Sequence, residues 1–155
     1  MFDKTLCISY AKQWAYSFNP RYYNFSNLGG DCTNFISQCL FAGGRPMNYL
    51  KYGWYYSTLQ SRAPAWTGVN EFWHFGTTNK SVGLKLAPVN QEETQVADIV
   101  QLSNGNVFYH TVLITKIAEE NGVRKIFVAA HDNAAFDKPL ESYGAAYLRF
   151  ARPSD

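Results

Sequence analysis

Two Asn-Gly pairs, Asn104-Gly105 and Asn121-Gly122, constrain this chain more than any other feature, because each divides runs rich in β-branched and aromatic residues. A tight hairpin turn needs left-handed backbone at its central positions, which Asn and Gly adopt most readily. Residues 96–102, 107–117 and 123–130 are therefore expected to be successive antiparallel strands, and residues 146–150 a closing strand after the loop that begins at His131. Before residue 81 the pattern is helical. Residues 3–18 place Cys7, Tyr10, Ala11, Trp14, Ala15 and Phe18 on one face and stop at Asn19-Pro20. Residues 32–42 follow Gly29-Gly30-Asp31 and end at Gly43-Gly44, with Cys32, Phe35, Ile36, Cys39 and Leu40 forming an apolar stripe and Thr33, Asn34, Ser37 and Gln38 filling the other side. A short helix is expected from about Thr67 to Phe75. Helices followed by a meander make an α+β chain, with N-terminal helices packed on a C-terminal antiparallel sheet, and 155 residues suit a single domain, 1–155.

The charge balance narrows the function classes. A net charge of +2 with scattered Lys and Arg leaves no electrostatic footprint for nucleic acid. No apolar run is long enough for membrane insertion, and the N-terminus lacks a signal peptide, so the chain is expected in the cytoplasm or as a module of a longer exported protein. Three cysteines without a Cys-x-x-Cys pair indicate neither a disulfide framework nor a zinc site. Eleven Tyr, eleven Phe and four Trp suggest an aromatic-walled groove, with the stretch 49–75, including Trp66, lining a cleft and Tyr23 bringing a phenol toward the second helix. His74, without a partner at metal or catalytic spacing, reads as structural.

Cys32 opens the second helix. Unpaired N–H groups and the positive end of the dipole favour a thiolate there, and the same N–H groups can hold an oxyanion. A thiol nucleophile needs a base, and His110, at the head of the apolar run TVLIT, has the ordinary pKa for proton transfer in both directions. Cys39, two turns further along the same stripe, reads as core. The third member of such a site follows from strand parity. A two-residue turn at Asn121-Gly122 sets Glu120 against Val123 and carries His110 opposite Asn133, whereas a four-residue loop carries it opposite His131. In both registers His131 and Asn133 share the face of His110, with His131 preferred as the orienting residue because it closes the strand. An extra residue in either strand would reverse the parity and favour Asp132.

Several stretches resemble a known family: residues 10–44 with the block GGDCTNF, AWTGVNEF at 65–72, ADIVQL at 97–102, HTVLIT at 110–115 and AAHDNAAFDKPL at 130–141. They resemble the bacterial putative amidase domain family, a branch of the papain-like cysteine hydrolases that includes the CHAP and NlpC-type cell-wall peptidases. The resemblance implies a papain-like fold, no cofactor and no metal. It implies Cys32 as nucleophile, His110 as base and His131 as orienting residue, with Asp31 contacting a substrate amine and Asn133 among the substrate contacts. The expected activity is hydrolysis of an amide in a peptide or peptidoglycan fragment, with acyl transfer by the same triad, or an aromatic binding module without catalysis, as the alternatives. Two stretches depart from the family pattern: Ala97-Asp98 where relatives tend to have Gly-Asp, and Asp132-Asn133-Ala134 after His131 where Thr-Asn-Asp is expected.

Overall fold

A computed structural model describes residues 1–155. Helix α1 spans Lys4–Trp14 and starts where the Asp3 carboxylate accepts the Leu6 N–H at 3.0 Å. It is shorter than expected because the chain leaves the helix after Ala15, and Phe18 is exposed where its spacing had predicted burial. Helix α2 occupies Cys32–Ala42, and α1 crosses its C-terminal end closely, with the Asp3 N–H on the Gly43 carbonyl at 2.7 Å. A side chain at Gly43 would meet the Phe2 ring at 2.5 Å, so this crossing requires glycine.

Helix α2 is buried around its whole circumference from Cys32 to Leu40. Its apolar stripe packs with α1 and the sheet. On its polar side Thr33 meets Thr111 and Gln38 meets Tyr10, while Asn34 and Ser37 are covered by the aromatic segment. That segment contains the hairpin β1 (Tyr56–Thr58) and β2 (Ser61–Arg62) and the helices α3 (Pro64–Thr67) and α4 (Val69–Thr78). Trp54, Trp66 and Phe72 are fully enclosed. An indole has an apolar body and one donor, and here both donors serve α2: Trp54 Nε1 binds Ser37 Oγ at 3.0 Å and Trp66 Nε1 binds Asn34 Oδ1 at 3.0 Å. The expected aromatic groove is thus a second wall of the core. Trp54 and Trp66 pack inward because the polar side of α2 offers each indole an acceptor, whereas Tyr49 and Tyr52 are exposed and Tyr52, His74 and Phe75 line a surface cavity.

The remaining elements build a six-stranded antiparallel sheet of order β3-β8-β4-β5-β6-β7. Its strands are β3 (Leu86–Val89), β4 (Ile99–Ser103), β5 (Phe108–Glu120), β6 (Val123–Ala130), β7 (Ala135–Pro139) and β8 (Tyr147–Pro153). The edge strands β3 and β7 were not legible as runs; both are short and contain a proline, Pro88 and Pro139, which edges tolerate. Strand β4 starts late because Ala97 takes φ of 74° and the Asp98 carboxylate accepts the Gln95 N–H, bending the chain before the ladder begins. Asn121 and Gly122 both have positive φ, 54° and 76°, and join Glu120 to Val123 in the expected tight turn.

The two sheet faces bury separate clusters. Ile99, Leu113 and Ala129 face the helices, whereas Val100, Leu102, Val112, Ile114 and Val128 face away and pack with Leu140. No helix is long and apolar enough to cross a membrane.

Candidate active site

Cys32 is the first residue of α2, and its thiol is 6% exposed, enclosed between the helix and β5. The sulfur faces the Thr111 backbone N–H and lies 3.7 Å from Thr33 Oγ1. The helix mouth itself is occupied. The Asp132 carboxylate accepts the Asp31 N–H through both oxygens at 2.9 Å and the Cys32 N–H at 3.2 Å. Gly30, with φ of 98°, makes room for it, since a Cβ there would stand 2.7 Å from Asp132 Oδ2. The Gly-Gly pair before the helix is therefore half turn and half cradle for a carboxylate that arrives from the far end of the chain.

Asp132 reaches this place through a change of register. The β5–β6 ladder starts with Glu120 opposite Val123, but Thr115 is an extra residue between Ile114 and Lys116, so Leu113 pairs with Ala129. Thr115 is held in the bulge by Phe127 O at 3.3 Å and Asp137 Oδ1 at 2.7 Å. One inserted residue reverses the parity expected from the turn alone. His131 consequently falls on the helix side with Ala129 and is not hydrogen-bonded to His110. His131 Nδ1 meets Asp31 Oδ2 at 2.5 Å and Nε2 donates to Trp14 O at 2.7 Å, while the ring stacks on Phe35 at 3.9 Å. A ring with both nitrogens engaged ties α1 to the loop before α2; orienting His110 is not its place.

Asp31, expected at a substrate amine, is 1% exposed. Besides His131, it accepts the Phe25 N–H at 2.8 Å and Asn34 Nδ2 at 2.9 Å, so no oxygen is left for a ligand. Trp66, expected on the cleft wall, is fully buried. Tyr23 is 41% exposed and keeps its ring against Phe25 at 4.9 Å. Asn133 is exposed on the turn between β6 and β7, where both it and Asp132 hold left-handed backbone, φ 70° and 58°. A cleft of about 430 Å³ opens beside this turn, lined by Tyr16, Phe18, Ser26, Gly30, Asp132 and Asn133 among others.

His110 sits at the start of β5, 6% exposed, beside a second irregularity where Tyr109 is the extra residue against β4. Its neighbour Thr111 points at α2, and His110 lies with Tyr143, ring centroids 5.7 Å apart. No hydrogen bond joins its ring to the sulfur. Burial lowers its pKa below the ordinary value, with the Asp132 charge acting in the opposite direction. The thiol is likewise shifted by burial, upward, and the Asp132 charge raises it further, against the Thr111 N–H and the Thr33 hydroxyl, which lower it. Desolvation thus outweighs the helix-mouth effect, of which the Thr33 N–H still reaches the sulfur while the Cys32 N–H is taken by Asp132. Asp132 is the one carboxylate whose charge acts on both residues. Sequence parity had turned it away; the signal that would have recovered it is Thr115, a residue whose hydroxyl can hold a bulge. No group of three or more His, Cys, Asp or Glu side chains converges as a metal site.

The putative amidase domain model matches residues 1–150. The chain belongs to the putative amidase domain family. A similar relative is the uncharacterized protein YhbB of Bacillus subtilis (strain 168), 32% identical over 127 residues, a match covering 78% of this chain and 39% of that protein. The chain thus corresponds to well under half of YhbB. No solved structure matches.

Proposed function

We propose that this member of the putative amidase domain family is a cysteine amide hydrolase of papain-like design, acting on peptides such as peptidoglycan stems, with Cys32 as nucleophile. The observation that carries the reading is the thiol at the first residue of a buried helix, held against the strand that bears His110. The exposed residues Asn133 and Ala134 and the cleft beside them, which reaches Gly30 and Asp132 before the helix mouth, provide room for an extended substrate.

In the resting chain the thiol is protonated and His110 neutral, the pair of states from which a proton can move from sulfur to imidazole. Substrate entering along the turn displaces the Asp132 carboxylate from the helix mouth. Its charge then pairs with the imidazolium, and the Asp31 and Cys32 N–H groups become free for the oxyanion. His110 stands at the start of β5 on the face away from α2, with the Asp132 charge acting on it and on the thiol alike. The sulfur–carbon bond forms as the thiol proton passes around this strand end to His110. The carbon–nitrogen bond breaks as that proton passes to the leaving amine, and water, deprotonated by His110, hydrolyses the thioester. The strained backbone at Asp132 and Asn133 suits a turn that moves in this cycle.

The test is intact-mass analysis during turnover of peptide anilides and peptidoglycan fragments. An acyl adduct on the wild-type chain, absent from Cys32→Ala, is expected; full turnover by Cys32→Ala would overturn the assignment.

A further inference from the structure

The row Arg149–Gln101–Thr111 crosses three strands of the sheet, with Gln101 of β4 in register with Arg149 of β8 on one side and Thr111 of β5 on the other. Residues directly opposite in a sheet share a face, so all three lie on the side of α2. The Arg149 guanidinium gives two N–H groups to Gln101 Oε1, at 2.6 and 3.0 Å, and stands between the rings of Trp73 and Phe108, at 4.3 and 3.8 Å. A third contact reaches Asn70 Oδ1 at 3.3 Å, and no carboxylate is within ion-pair distance. An arginine held this firmly without an anion sends its charge into a neutral amide.

The directions of the hydrogens at the Arg149 end of this row are fixed by chemistry. Guanidinium only donates, so the Gln101 oxygen must face Arg149, and the carbonyl of Val69 only accepts, so the Gln101 nitrogen must face it, at 2.8 Å. The same nitrogen donates to Thr111 Oγ1 at 3.0 Å. Thr111 then has its own proton left, and its remaining partner is Thr33 Oγ1 at 2.9 Å. Thr33, having accepted, keeps its proton free for the Cys32 sulfur at 3.7 Å, and toward a thiolate, which can only accept, it must be the donor. Gln101, Thr111 and Thr33 are fully buried, so water offers them no alternative.

Resting on the reading of Cys32 as nucleophile, we propose that Arg149 is a positioning residue that favours the Cys32 thiolate from across the sheet, through Gln101, Thr111 and Thr33. Four donors in series all point toward the sulfur, and polarisation along such a chain strengthens the last bond. The chain adds to the Thr111 and Thr33 N–H groups at the sulfur, while Asp132 occupies those of Asp31 and Cys32 in the resting state.

The experiment is the pH dependence of iodoacetamide alkylation of Cys32 in the whole chain, read by peptide mass with melting followed in parallel. Thr33→Val, which keeps shape and removes the hydroxyl, is expected to slow alkylation at pH 8 about tenfold, the scale of losing one hydrogen bond to an ion. Thr33→Ser restores it. Arg149→Gln, at a half-exposed site, moves the profile to higher pH by a smaller step, and Arg149→Lys moves it less. Unchanged profiles in folded Arg149→Gln and Thr33→Val would overturn the proposal, as would a profile shifted to lower pH. This readout needs no turnover, so failure of the relay is separable from failure of the nucleophile assignment, which the turnover of Cys32→Ala decides.

Discussion

The two faces of the sheet are cut from the same strands and bury different chemistry. Away from the helices, Val100, Leu102, Val112, Ile114 and Val128 pack as aliphatic rows, and polar groups stay at the margins: His110 at one end, Asp98 with Arg152 at 3.0 Å at the other. Toward the helices, Gln101 and Thr111 lie inside the layer and meet Thr33, while Asn34, Ser37 and Gln38 of α2 are also buried. Apolar packing tolerates small displacements, but a buried polar group without its partner costs the full desolvation penalty. The far face therefore supplies cohesion. The helix face fixes α2, and with it the thiol, to within a hydrogen-bond length.

Substitutions on the two faces should separate activity from stability. The largest effect expected is on turnover: Cys32→Ala should lower it by about 10⁴-fold or more, the scale of losing a nucleophile, with melting almost unchanged. Ile114→Ala, at a fully buried far-face position, should cost about 2–5 kcal/mol of stability, read by denaturant titration, and leave turnover per folded molecule intact. Loss of turnover in folded Ile114→Ala, or wild-type turnover in Cys32→Ala, would break the division of labour between the faces.

Asp132→Asn tests the resting state of the helix mouth. The Asp132 charge raises the pKa of both the Cys32 thiol and His110. Its removal should let the thiol ionise at lower pH, so that alkylation near pH 8 becomes several-fold faster by the Coulomb effect of one nearby charge. Turnover should fall, since the imidazolium loses its counter-charge. Slower alkylation in this variant would show that the carboxylate supports the thiolate instead of opposing it.

Much of this arrangement was legible beforehand. The helix 32–42 and the strand 123–130 match their expected bounds, because Gly-Gly pairs and an Asn-Gly turn act within a few residues of the ends they set. The site was legible only in part. That α2 would be buried on its polar side required knowing that Trp54 and Trp66 bring one donor each, a fact of tertiary packing that no period in α2 records. The exchange of His131 for Asp132 at the helix mouth turned on one bulged residue, Thr115. Hairpin parity is read from the turn outward, and an insertion at Thr115, well back in the strand from Glu120, leaves no mark on hydrophobic alternation there, since Thr115 and Lys116 are both polar. Arg149 and Gln101 were missed for a similar reason, because cross-strand rows exist only once register is known.

The smallest effect expected belongs to His110, and it sharpens the contrast between a margin that titrates and an interior that does not. Burial holds the His110 pKa in the folded chain below the ordinary 6.5, with Lys138 adding to the depression and Asp132 opposing it. The unfolded chain therefore takes up the proton first as pH falls. The contribution of His110 to stability is complete above pH 6.5 and declines below it, until the folded chain is protonated too, with a slope of at most about 1.4 kcal/mol per pH unit. His110→Gln removes this contribution and leaves the other titrating groups in place. The stability of the wild-type chain minus that of His110→Gln, from urea titrations between pH 5 and 8, should accordingly be flat above 6.5 and fall on the acid side. A difference that rises as the solution is acidified would mean that the folded chain binds this proton more tightly than the unfolded one, and that the Asp132 charge, not burial, governs His110.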